Sequence, residues 1–138
     1  MHLVLKTTYL LLLLISASSA QVAVIVNRSV PIKSADASTI LDIYSLNAKE
    51  WPDGTPIIVV AMKGNENTAQ KFFQFIGKRP LDMKKIWMRA QLSGESKAPI
   101  ALNSDEDVVA KVASTLGAIG FVRELKADSS VKTVAIIE

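Results

Sequence analysis

Residues 59–73 read VVAMKGNENTAQKFF. An apolar, strand-like run ends at Met62, Lys63 and short polar residues follow, and a helix-like pattern then begins. A strand that turns directly into a helix leaves unpaired backbone N–H groups at the positive end of the helix dipole. Lys63 adds a full charge beside them. Such a cradle suits a small oxyanion such as phosphate or sulfate, with Lys63, Asn65, Asn67 and Thr68 as candidate donors. Lysine acts there as a point charge, without the bidentate geometry of arginine. Glu66 opposes an anion: two like charges about 4 Å apart repel by about 4 kcal/mol at an effective dielectric near 20. A glutamate side chain swung outward avoids this. The same residues also admit a simpler role, because Asn65 or Asn67 can cap the helix.

Other chemistry is scarce. The chain has no cysteine, which excludes a disulfide framework, thiol redox chemistry and thiolate metal sites. It opens MHLVLKTTYLLLLLISASSA, with Lys6 ahead of an apolar stretch around Leu10 to Ile15 and small residues ending at Ala20. That is the layout of a secretory signal peptide cleaved near Ala20, and its apolar stretch is short for a bilayer span. An uncleaved anchor is the competing reading. The single histidine, His2, lies in this leader. Residues 21–138 therefore lack the imidazole of a Ser-His-Asp triad, a zinc site or a general base near neutral pH. Nothing in the sequence brings two carboxylates into one cleft. The expectation is a protein that is not an enzyme and uses no cofactor or metal.

The formal net charge of +3 falls to +2 without Lys6, and the charges are scattered, so no nucleic-acid surface is expected. Lys78, Arg79, Lys84, Lys85 and Arg89 cluster around one helix start, as a solvated face, a partner surface or an anionic-lipid contact. Asp105, Glu106 and Asp107 sit where they complement a helix N-terminus.

The elements that must position the cradle follow from periodicity. VAVIV at 22–26 and PIIVVAM at 56–62 read as strands buried on both faces. Between them lies a helix with Ile40, Leu41 and Tyr44 on one face, capped by Ser34 or Asp36. The loop NAKEWPDG follows, with its Pro52-Asp53-Gly54 turn signal. A second helix runs from about Thr68 to Ile76, with Phe72, Phe75 and Ile76 as its stripe and Gly77 beyond its end. A third opens at Pro80, presents Met83, Ile86, Trp87 and Ala90, and stops at Gly94. SGESKAP reads as loop. Asn103 or Ser104 caps a fourth helix, with Asp107 completing a capping box and Val108, Val109, Val112 and Ala113 inward. Gly117 and Gly120 bracket a turn, and strands follow at 119–122 and 131–137. The order β-α-β-α-α-α-β-β predicts one α/β domain over residues 21–138, helices packed on a mixed β-sheet. Trp51 and Trp87 are expected to pack on the core with their N–H groups bonded to backbone, although a ligand-stacking surface is open to them.

Three segments together carry a resemblance. The first is VAVIVNRSVPIKSADASTILDIYSL, leading into WPDGTPI, a W-x-D-G-x-P-I pattern. The second is the strand, basic residue, polar turn and phenylalanine-bearing helix of 59–73. The third is VASTLGAIGFV at 112–122, similar to T-P-G-A-I-G-Y-V. In this order they resemble the phosphate-binding periplasmic proteins of ABC phosphate transporters, in the type II periplasmic binding protein superfamily. Members of that family close two lobes on their ligand, and this chain is long enough for one. The resemblance implies one lobe of that fold, with Lys63 at the family's arginine position and Asn65, Glu66, Asn67 and Thr68 replacing its Ser-Gly-Thr turn. It implies a periplasmic or otherwise secreted substrate-binding-like protein, with a membrane transporter or sensor as partner. The alternative is a non-catalytic interaction or scaffold domain of the cell envelope that has lost its anion, with self-association as one way to cover the exposed half-cleft.

Overall fold

A computed structural model describes residues 20–63 and 66–138. The leader expected at residues 1–20, apart from Ala20, lies outside the described residues, as do Gly64 and Asn65. The elements in chain order are β1 (Val22–Val26), α1 (Ala37–Tyr44), β2 (Ile58–Met62), α2 (Glu66–Ile76), α3 (Pro80–Ser93), β3 (Ile100–Leu102), α4 (Asp105–Ser114), β4 (Ala118–Arg123), a 3-10 turn at Glu124–Lys126, and β5 (Lys132–Ile137). The strands form one mixed sheet in the order β3-β2-β4-β1-β5. β2 runs parallel to β3 and to β4, whereas β1 is antiparallel to both β4 and β5.

Helices cover both faces of the sheet, so β1 is buried at all five positions, as its unbroken β-branched run requires. On one face Phe72 of α2 stacks on Phe121 of β4, with ring centroids 4.0 Å apart and planes 8° from parallel. Tyr44 of α1 meets Phe72 edge-on at 4.7 Å, and its hydroxyl donates to the carbonyl of Val60 at 2.8 Å. Neighbouring strand residues point to opposite faces. Gly120, next to Phe121, therefore faces α4, where a Cβ would stand 2.8 Å from Val108 Cγ1 and 3.1 Å from Val112 Cγ2. The missing side chain lets α4 lie directly on β4.

Local signals read from the sequence have identifiable forms. Asp36 rather than Ser34 caps α1, accepting from the Thr39 N–H at 2.8 Å. Ser104 rather than Asn103 caps α4, accepting from the Asp107 N–H at 3.1 Å. Pro80 opens α3 and Gly94 closes it. Trp51 and Trp87 donate to backbone, to the carbonyls of Gly117 at 2.9 Å and Tyr44 at 2.7 Å.

Four expectations need correction. β3 intervenes between the third and fourth helices, a three-residue strand held in register by β2. Gly120 does not bracket a turn; it is the third residue of β4 and serves helix approach. α2 begins at Glu66, about two residues early, which puts Asn67 and Thr68 inside its first turn. The apolar stripes are also wider than expected: Ile43 joins the α1 stripe and Phe73 the α2 stripe as buried residues, Phe73 packing toward Trp87 of α3, while Leu41 and Phe75 pack on the core partly buried.

Gly117 combines a left-handed φ of 75° with no room for a side chain, since a Cβ would fall 2.1 Å from the carbonyl oxygen of Pro56. Gly94 has a φ of 76° in open space. Gly94→Ala is expected to cost about 1–2 kcal/mol from backbone strain alone, and Gly117→Ala distinctly more, read as urea midpoints. Burial raises the Tyr44 phenol well above its ordinary value of 10.0. Above about pH 10 the unfolded chain loses this proton while the folded chain keeps it, so stability falls as pH rises. Wild type should lose up to about 1.4 kcal/mol per pH unit more than Tyr44→Phe across that range, measured by urea unfolding at stepped alkaline pH.

Candidate functional site

α2 and α4 lie on opposite faces, yet each follows one of two adjacent parallel strands. β2 feeds α2, and β3 feeds α4. The backbone of Lys63 donates to the carbonyl of Leu102 at 2.8 Å, joining the two strands up to their carboxyl ends. Connections that leave neighbouring strands toward opposite faces open a crevice between them, the usual position of ligands in open α/β sheets. The geometry thus brings the Lys63 segment and the Asn103–Ser104 segment to one place.

The walls of this crevice differ. On the α4 side the first turn is acidic, but its carboxylates are engaged. Asp105 is 4% exposed and accepts from Arg123 Nε at 2.7 Å and from the Arg123 backbone N–H at 3.2 Å. Glu106 pairs with Lys126 at 3.1 Å. Its own backbone N–H and the Lys126 ammonium hold its carboxyl below the ordinary 4.5. The acidic run therefore does more than complement the dipole: it clamps α4 to the end of β4.

On the α2 side a groove of about 720 Å³ opens between β2, β3, α2 and α3. Its floor and walls are mostly apolar, with Met62, Phe73, Trp87 and Ala101 among them. Gln70 lines it as well. Among the described residues lining it the charged ones are Lys63 and Lys84, both cations. α2 begins just beyond Lys63, at the same end of the groove. An apolar groove with a few convergent polar groups is the general form of a small-ligand site.

The sequence-derived donors divide. Lys63 and Asn67 are exposed. Thr68 is 3% exposed, so its side chain is enclosed by the fold. Asn65 lies outside the described residues. Lys84 was assigned from sequence to a basic cluster on a helix face; the fold carries it to the same groove as Lys63. Its signal was the i, i+3 spacing to Trp87, which puts the two on adjoining parts of one helix surface. Among the described residues no group of three or more acidic, histidine or cysteine side chains could hold a metal ion.

The buried Asp105 makes the clamp asymmetric. Arg123→Met leaves a buried carboxylate with no cation and should cost about 2–3 kcal/mol. Lys126→Met, at an exposed pair, should cost under about 1 kcal/mol. Chemical denaturation of the two variants checks the ratio.

No family model matches the sequence, and no curated protein matches it. Solved structures do. A putative phosphate ABC transporter substrate-binding protein with bound phosphate from Clostridium perfringens superposes with a TM-score of 0.68 at 21% identity, over 83% of this chain and 45% of that one. An ABC-type phosphate transport receptor from Vibrio cholerae gives 0.63 at 19%, over 83% and 46%. A possible phosphate binding protein from Planctomyces limnophilus gives 0.58 at 17%, over 83% and 41%. The chain spans less than half the length of each of these proteins, and its α/β fold matches that part of theirs.

Proposed function

We propose that this chain is an exported, non-catalytic module that binds a small oxyanion, phosphate first, in the groove at the carboxyl ends of β2 and β3. The observation that carries the reading is the meeting of Lys63 and Lys84 at one groove beside the start of α2, with no described acidic residue on its lining. The two ammonium groups would hold a tetrahedral anion beside the start of α2, with Asn65 and Asn67 as the further donors proposed from the sequence. The phosphate-transport proteins that share the fold support phosphate as the first ligand to test. Export follows from the leader, with residues 21–138 as the mature domain, and a membrane transporter or sensor is the corresponding partner.

The groove is open, so water screens its charges and each lysine contributes modestly. Binding in the millimolar range is expected. The second reading, an interaction or scaffold domain, is favoured by one observation: the groove walls are mainly apolar, as in a surface that a further protein covers.

Isothermal titration of the full chain with phosphate and with sulfate separates the readings. The oxyanion module gives saturable heat at millimolar ligand, and Lys63→Ala and Lys84→Ala each weaken binding by about fivefold. Glu66→Ser leaves affinity equal or improves it. Absence of heat with both anions, or indifference to Lys63→Ala, contradicts the reading and leaves the interaction domain.

A further inference from the structure

α3 is apolar on two opposite sides. Met83 and Ala90 are buried, and Ile86 and Trp87 are partly so. Leu81, Met88 and Leu92 are 60%, 61% and 82% exposed. Positions 81, 88 and 92 follow an i, i+7, i+11 pattern and so share one stripe. Each stands two residues from Met83 or Ala90, which is about 200° around the helix. The stripe therefore faces directly away from the core. An ordinary surface helix carries polar residues there.

Cations flank the stripe. Lys85 and Arg89 join Met88 and Leu92 around one shallow surface depression. Lys78 and Arg79 precede the helix, and its one acidic residue, Asp82, is already bonded to Arg79 at 2.9 Å. A row of long aliphatic residues bordered by lysine and arginine is the composition of a helix lying in a lipid headgroup region, its cations reaching to phosphates and its apolar side chains entering the acyl boundary. The geometry points to an anionic phospholipid bilayer as the occupant of this face of α3.

A second copy of the chain fits less well. Three side chains supply far less than the ~800 Å² per partner that a stable dimer buries. A two-fold contact would also set Lys85 and Arg89 against their own copies. A bilayer needs no shape complementarity, and anionic headgroups neutralise these charges instead of adding to them.

The chain has no cysteine, so Leu92→Cys takes a single environment-sensitive fluorophore in the full chain. Thr133→Cys, on the sheet's far edge strand β5, serves as the control site. Vesicles of phosphatidylglycerol and phosphatidylcholine should blue-shift the Leu92→Cys probe and shield it from an aqueous quencher, leaving the Thr133→Cys probe unchanged. Partitioning should be about tenfold or more weaker on pure phosphatidylcholine, in high salt, and in a Lys85→Glu/Arg89→Glu background. The leader is common to every sample, so these differences report on α3. The proposal is overturned by an unshifted probe, by equal shifts on neutral and anionic vesicles, or by indifference to the charge reversals. A shift that grows with protein concentration without lipid overturns it in favour of a second copy.

Discussion

The stack of Phe72 on Phe121 is the contact on which the candidate site depends. α2 starts directly beyond β2, and Phe72 lies two turns into it. Once that ring is flat against Phe121, the start of the helix is held at the carboxyl end of β2. Tyr44 completes the cluster from α1. Its buried hydroxyl would be costly without an acceptor, and the carbonyl of Val60 supplies one within β2 itself. Trp87 then bonds to the carbonyl of Tyr44 at the end of α1 and so orients α3 and the Lys84 wall of the groove. Removing either phenylalanine would loosen the core and the site together.

The opposite face and the opposite pole carry the rest of the frame. Asn27 follows β1 and is buried, with its amide donating to the carbonyls of Val112 and Ala113 at 2.9 and 3.1 Å. These are carbonyls near the end of α4 that the helix does not satisfy internally. Nearby, Trp51 reaches the carbonyl of Gly117, and Gly117 presses on Pro56. The WPDGTPI and GAIGFV segments that carried the family resemblance thus touch each other at the amino ends of β2 and β4. The groove lies at the carboxyl ends. Frame and candidate site thus occupy different poles of the sheet.

Much of the fold was legible in short sequence signals. The strands VAVIV and IVVAM announce themselves by unbroken β-branched composition, Pro80 and Gly94 punctuate α3, and Ser104 marks α4. What escaped is set by distance along the chain. β3 has no periodicity of its own over three residues and exists because β2 pairs with it. Gly120 resembles a turn residue until α4 is placed above it. Asp105 looks like one of three dipole-complementing acids, and only the return of β4 shows which one meets Arg123. In the site, Lys63 was legible from its strand-turn-helix context. The approach of Lys84 was not, because α3 crosses back toward β3 before its lysine can reach the groove.

The central claim is that an anion sits at the start of α2, and amide chemical shifts report on that position directly. In a titration of isotope-labelled full chain with phosphate, the account predicts saturable shifts concentrated at the amides of Glu66, Asn67 and Thr68, with smaller ones around Lys84. Shifts confined to other surfaces, or a spectrum unchanged at millimolar phosphate, would contradict it.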